Sequence, residues 1–397
     1  MGHTDAEAAV AVLRDTLPPE LLSLFDRSFV RSHLLYEEFI CRLVLGVVRE
    51  MGLTHALSDG CTAREIVERN RLEPERALVA IDWVLRLLAE RGLLEPLPGP
   101  APQRFRSRGP LPAPDPAPVR EEQQRHDPSC LPSYVLAETV ASDYPAFLRG
   151  EVVGEDVLFS PRRLRLWIEY FSNANGLYAV NNRIAAAALT QWLPREGATV
   201  LELGGGLASG ALAALEGLEA AARLDGIREY RFTEFVPAFL RIGQRQLLAR
   251  YPERPRLSFG ALDMNRPFAE QGITPGSLTI VYAVNTLHVA HDLAFTLTEV
   301  LHSLEPGGSL VISECVRPFP LQPAPVEFMF NLTRTFRSPR LHPVYRPTGG
   351  FLTPEQWKGA IESVGFAAPR FLPDIMGIRE QVRGFFVAAI GAMRGPG

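Results

Sequence analysis

An apolar run with one acid in it, Val200-Leu201-Glu202-Leu203, passes directly into Gly204-Gly205-Gly206, and Ser209 and Gly210 then open a helical stretch. That succession is a strand, a tight turn and a helix start. Glycines in the turn let a ligand come close to the backbone, and the unpaired N–H groups at the following helix terminus can receive a carboxylate or phosphate. The chain is therefore committed to an α/β fold that holds a nucleotide-like cofactor. A dinucleotide fingerprint would require a further glycine where Ser209 stands. Glu202 also lies inside the first strand, before the turn, where a dehydrogenase has no need of an acid.

Four more segments follow in order. Tyr230-Arg231-Phe232-Thr233-Glu234 reads as a second strand ending in an acid, and Ala261-Leu262-Asp263-Met264 follows a third. Residues 277–284 form a fourth strand that runs into Asn285-Thr286-Leu287-His288, and a turn at Gly307-Gly308 precedes a fifth ending at Glu314. Thr353 and Gln356 cap a helix that stops before Gly365, and residues 385–390 supply a last apolar strand. The expected architecture is a seven-stranded Rossmann-like sheet closed by a reversed C-terminal hairpin.

This order of motifs, over residues 197–397, resembles the class I S-adenosylmethionine (SAM) methyltransferases. The resemblance implies SAM as cofactor and S-adenosylhomocysteine as product. It makes Glu202, Gly204, Gly205 and Gly206 the first motif. It puts Glu234, with Phe235 beside it, on the ribose hydroxyls, Asp263 on the adenine amine, Met264 on the ring face and Asn285 at the end of the fourth strand. Tyr178, just ahead of the fold, falls at the methionine end. One departure is Ala208, where the family carries its third glycine, and alanine is the least disruptive replacement.

With 397 residues, a net charge of −4 and 46% hydrophobic residues, the chain reads as an ordinary soluble protein, neither a nucleic-acid binder nor disordered. Lys358 is the only lysine, which disfavours Schiff-base chemistry. Cys41, Cys61, Cys130 and Cys315 are scattered without C-x-x-C spacing, so neither a zinc site nor a disulfide framework is expected. The first residues lack a basic segment leading into an apolar one, and no run is long enough for a membrane span. A cytoplasmic protein without membrane contact is the expectation.

Residues 33–51, 62 onward and 75–91 carry apolar positions at helical spacing, the second opened by a capping box at Thr62 and Glu65. Three helices followed by Gly92-Leu93-Leu94-Glu95 resemble the winged-helix N-terminal domain of small-molecule O-methyltransferases, which implies a homodimer. DNA binding is disfavoured, since six arginines face seven acids between Cys61 and Glu95. Nine prolines between Pro96 and Pro118 read as a semi-rigid linker or extended arm. The expected division is a helical domain over 1–95, the proline-rich arm over 96–133, a helical lid over 134–193 and the SAM domain over 194–397. That last domain carries a second lid over 317–346. Aromatic-rich lids suit an apolar pocket, with Phe171, Phe328, Met329 and Asn331 as candidate substrate contacts.

His288 lies just beyond the fourth strand and Glu314 ends the neighbouring fifth, both at the carboxyl edge where such sheets bind ligands. An imidazole can take a hydroxyl or enol proton, and a carboxylate can orient it. The pair resembles the His-Glu dyads of plant-type O-methyltransferases and of polyketide C-methyltransferases. His291 and Asp292 make a short cluster with His288, but without a second ligand-rich segment no metal is expected, and Asp292 reads as a helix cap. The first reading is transfer of a methyl group to a hydroxyl or enol oxygen of a small, polyketide-like substrate, free or carrier-bound. The alternatives are methylation of an activated carbon on a carrier-bound acyl chain, and SAM binding without methyl transfer.

Overall fold

The computed structural model describes residues 3–195, 197–253, 255–367 and 369–396. Its central strand, β1 (Ala198–Leu203), is buried at all six positions, as expected of a parallel strand covered on both faces. It pairs in parallel with β2 (Ile227–Thr233), which pairs with β3 (Arg256–Gly260). On its other side it pairs in parallel with β4 (Leu278–Val284), and β4 with β5 (Leu304–Cys315). Two antiparallel strands complete the sheet, β6 (Arg370–Leu372) and β7 (Val387–Met393), with β7 bonded to β5 and β6 at the edge. The order is β3-β2-β1-β4-β5-β7-β6. Chain direction across the sheet reverses between β1 and β4. That switch point opens a crevice at the carboxyl ends of these two strands, where α/β sheets bind ligands.

Helices α1 (Gly176–Trp192), α2 (Ser209–Ala220), α3 (Pro237–Arg250), α4 (Leu293–Ser303) and α5 (Pro354–Ser363) belong to the same compact unit, which spans Phe171–Pro318 and the chain from Pro339 onward, with Glu7–Asp26. Asp292 caps α4, its Oδ1 accepting from the Phe295 N–H at 3.2 Å. Thr353 and Gln356 form a reciprocal capping box on α5.

The second compact unit comprises Arg27–Tyr170 and Phe319–Ser338, with the extreme N-terminus. Its helices include Arg27–Glu50, Ala63–Arg69, Pro74–Glu90, Leu131–Leu148, Gly154–Phe159 and Leu164–Tyr170. The capping box at Thr62 and Glu65 is formed.

The proline-rich stretch departs from expectation. Leu94–Leu97 and Arg104–Ser107 form an antiparallel hairpin in which Pro96 lies opposite Phe105. Phe105 turns its own N–H and C=O to Cys61, at 2.8 and 2.9 Å, so the missing N–H of Pro96 leaves no acceptor unsatisfied. Further on, Ala117–His126 is a helix with proline in its first turn, where the absent donor is not needed. Prolines here punctuate elements instead of forming one arm.

The expected lid over 317–346 also differs. Phe319–Ser338 packs as core of the helical unit: Phe328 is fully buried and stacks on Tyr144 with centroids 4.6 Å apart and rings 2° from parallel. Glu327, buried beside it, accepts from Trp83 Nε1 at 3.0 Å and from the Ala324 N–H at 2.9 Å. No helix among the described residues is long and apolar enough to cross a membrane.

Ala208, just ahead of α2, adopts φ +67°, ψ 13°. Alanine is therefore not a neutral replacement for glycine at this position, because a Cβ in the left-handed region costs about 1–2 kcal/mol. Ala208→Gly relieves that strain at an entropic cost of about 0.5–1 kcal/mol. The urea-unfolding midpoint of Ala208→Gly should rise by an amount equivalent to about 0.5–1 kcal/mol; an unchanged or lower midpoint contradicts the strain.

Candidate active site

The site is built where β1 and β4 end. Gly204 and Gly206 take positive φ, at +59° and +56°. A Cβ at Gly204 would lie 2.5 Å from the Thr286 methyl, so only glycine lets the turn after β4 come this close. Thr286 Oγ1 donates to the Gly204 carbonyl at 3.1 Å, tying the two strand ends together across the switch point. No atom lies within 4 Å of a Cβ built at Gly206, which leaves that side of the turn open to a ligand.

Two acids serve this turn differently. Glu202, 1% exposed, accepts from the Tyr230 hydroxyl at 3.0 Å, and burial pushes its carboxyl up to about 8, with the neighbouring charge of Glu234 adding to the shift. Glu234, directly after β2, accepts from the Gly206 N–H at 2.8 Å through Oε2 and from the Val236 N–H at 2.7 Å through Oε1. Burial holds its carboxyl above the usual carboxylate range, against the pull of the Val236, Gly206 and Phe235 amides. A carboxylate has about four lone-pair positions, so these amides leave acceptor capacity for a hydroxyl donor.

The remaining cofactor candidates surround the same edge. Phe235 is 64% exposed beside Glu234. Asp263 follows β3 and accepts from the Asn265 N–H at 2.9 Å, while the carbonyl of Met264 accepts from the Thr296 hydroxyl. Asn285, at φ +49°, accepts through Oδ1 from the Cys315 N–H and so bridges the ends of β4 and β5. Tyr178 on α1 hydrogen-bonds the side chains of Ser209 and Asn285, and burial raises its phenol. An amide chain fixes α1 against the start of α2: Asn182 Nδ2 donates to Asn173 Oδ1, and Asn173 Nδ2 donates to the Ser209 carbonyl.

His288 and Glu314 meet as their positions suggest. His288 sits on a short 3-10 turn, Leu287–Val289, and its Nδ1 lies 2.6 Å from Glu314 Oε2. Glu314 is fully buried, and its Oε1 accepts from the Thr286 and Leu287 N–H groups at 3.1 and 2.8 Å. The carboxylate thus fixes the proton on Nδ1 and assigns the basic lone pair to Nε2. The Phe351 ring packs on the imidazole at 4.7 Å between centroids.

The candidate substrate contacts fall in both compact units. Phe328, Met329 and Asn331 are buried within the helical unit, whereas Phe171 belongs to the sheet unit and packs edge-on against Tyr178 at 5.1 Å. Residues that sequence reasoning passed over include Thr286, Phe351 and Arg346. Thr286 was legible in principle, as the residue after an Asn at a strand end. Phe351 and Arg346 lie in an irregular segment with no periodicity to mark them.

No family model matches the chain. The reducing polyketide synthase Preu2 of Preussia isomera is 27% identical over 232 residues, 58% of this chain and 9% of that protein. Polyketide synthase PksM of Bacillus subtilis (strain 168) is 25% identical over 262 residues, 64% of this chain and 6% of that protein. The chain thus spans less than a tenth of the length of these relatives. Among solved structures, the CurJ carbon methyltransferase superposes with a TM-score of 0.77 at 22% identity, covering 98% of this chain and 99% of that one. The DszA carbon methyltransferase gives 0.70 at 24%, covering 91% and 89%. The fold is that of the Rossmann-like SAM-dependent methyltransferases. More narrowly, it is the fold of carbon methyltransferases along nearly the whole chain, so the helical N-terminal part, read from sequence as pointing to oxygen, does not separate oxygen from carbon.

Glu202 gives a signed pH dependence. Its folded pKa of about 8 lies above the reference 4.5, so the folded state holds a proton that the unfolded chain gives up, and stability falls as pH rises from 4.5 to about 8. Glu202→Gln removes that linkage while keeping an acceptor for Tyr230. Urea midpoints measured between pH 5 and 8 should show the advantage of Glu202→Gln over the parent growing with pH. A constant difference contradicts the burial argument.

Proposed function

We propose that this chain is a SAM-dependent C-methyltransferase acting on an activated carbon, the position between two carbonyls of an acyl chain held as a carrier-bound thioester. The observation that carries the reading is the buried His288–Glu314 pair at the ends of β4 and β5, beside the switch point of a sheet that shares its fold with carbon methyltransferases. The sequence relatives, all polyketide synthases in the two cases above, support the same class of substrate. Oxygen, the first expectation from sequence, has no comparable support.

The residues present fit the cofactor. Gly206 leaves open space at the turn, Glu234 retains acceptor capacity beyond its amide bonds, Phe235 stands beside it after β2, and Asp263 follows β3. When bound, SAM supplies an electrophilic methyl group on a sulfonium and leaves as S-adenosylhomocysteine.

The protein contributes alignment and a base. Nε2 of His288 removes the proton from the carbon flanked by the two carbonyls, and the C–H electron pair becomes the enolate. That carbon then bonds the methyl group. The proton stays on the imidazole, whose positive charge faces the Glu314 carboxylate at Nδ1. Glu314 keeps its orientation because its other oxygen is held by two backbone amides, so the imidazole cannot rotate without breaking a buried charge-assisted contact.

With a β-ketoacyl thioester as substrate, His288→Ala should lose about 10²–10⁴-fold in turnover. SAM affinity by calorimetry should be unchanged, since the cofactor groups lie on other residues. Glu314→Gln should lose less, because it retains shape and one acceptor while removing charge. Methylation by His288→Ala at the parental rate removes His288 as the base.

A further inference from the structure

The turn that carries His288 is held in part by the short segment from Arg340 to Arg346. Arg340 donates its N–H to the His291 carbonyl at 2.7 Å, and its guanidinium pairs with Asp292 Oδ2 at 2.6 Å. The segment then folds back on itself, His342 and Arg346 exchanging both backbone hydrogen bonds at 2.9 and 3.0 Å. The His342 ring stacks on Tyr345 with centroids 3.7 Å apart. This tight loop delivers Arg346 inward, where it is 1% exposed. Its Nη1 donates to the Ala290 carbonyl at 2.8 Å and its Nη2 donates to the carbonyl of His288 itself.

A buried guanidinium that binds only carbonyls is costly unless a negative charge stands near. The acids facing it are Glu314 on β5 and Asp292 ahead of α4, and both favour its charged form. Asp292 is already paired with Arg340, which leaves Glu314 as the acid whose charge Arg346 mainly balances. Burial lowers the guanidinium to about 10, so it remains protonated at neutral pH. Its Nε has no partner among the described residues, so the side chain is held by its two terminal nitrogens. His291 and His342, on the turn and the loop, are the other titratable groups of these two segments, with Tyr345.

We propose that Arg346 is a positioning residue for the His288–Glu314 pair: its fork fixes the backbone of His288, and its charge balances the buried Glu314 carboxylate. It touches neither substrate nor cofactor in this account. The two effects separate by substitution. Lysine retains the charge but cannot grip two carbonyls in a planar fork. Methionine retains neither.

The role of Arg346 in turnover rests on the carbon-methylation reading, but its grip on the His288 turn does not, and the test uses both. In protein labelled with nitrogen-15 in histidine, the ring signals of His288, assigned with His288→Gln, should shift or broaden in both Arg346→Lys and Arg346→Met, since neither side chain grips two carbonyls. In turnover of a β-ketoacyl thioester, both variants should lower kcat by about 10–10²-fold with the KM for SAM unmoved. Should Arg346→Met fail to fold, Arg346→Gln reports the same loss of the fork. Unchanged His288 ring signals in these variants overturn the proposal, as does parental kcat in all of them. Absence of turnover in the parent defeats the substrate reading alone, because the ring signals still decide the role of Arg346.

Discussion

The arrangement of the site depends on one buried carboxylate. Glu314 is fully removed from solvent at the end of β5, and a carboxylate in that position costs several kcal/mol unless its oxygens are occupied and its charge balanced. Atoms from the neighbouring strand end meet the first condition, two backbone amides on Oε1 and the His288 imidazole on Oε2, and the buried Arg346 guanidinium supplies the balancing charge. Because the amides are those of Thr286 and Leu287, the same carboxylate fixes the path of the chain leaving β4. The geometry of the His288–Glu314 pair and the local backbone are therefore one interaction, and neither can change alone.

That constraint passes from strand to strand. Thr286, held through its N–H by Glu314, reaches with its hydroxyl to Gly204 at the end of β1, and Gly206 in turn donates to Glu234 at the end of β2. Four adjacent strand ends, β5, β4, β1 and β2, are linked in this way by side chain–backbone hydrogen bonds running along the carboxyl edge. A series of such bonds positions His288 and the glycine turn relative to one another. Precise alignment of reacting atoms is where an enzyme of this type obtains much of its acceleration. Glu202 lies beneath this row, and its protonated state avoids placing a second full charge next to Glu234.

Much of this was legible in sequence because it is local. The acid-then-glycine turn and the cap at Asp292 each depend on a few consecutive residues and form as read, and the strand read as ending in the acid Glu234 stops one residue earlier, at Thr233. The His288–Glu314 contact was legible for a different reason: both residues end neighbouring parallel strands, so topology alone brings them to one edge. What the sequence hid depends on partners distant along the chain. Pro96 sits in a hairpin because Cys61 takes the backbone bonds of Phe105, and Phe328 is core because Tyr144 and Trp83 lie against it. Arg346 is buried through contacts to residues 56 and 58 positions away, and one arginine among many in this chain carries no local sign of that. The left-handed backbone at Ala208 was hidden too, since composition records only that a glycine is missing.

The central claim, that the acceptor is carbon, is tested most directly by where the methyl group goes. Incubation of the protein with SAM labelled with carbon-13 in the methyl group and a β-ketoacyl thioester, followed by carbon NMR of the product, reads the new bond itself. The account predicts the label as a methyl bonded to the carbon between the two carbonyls, with carbon–carbon coupling to that position when it too is labelled. A label found in a methoxy group, with no such coupling, contradicts the account and returns the oxygen acceptor.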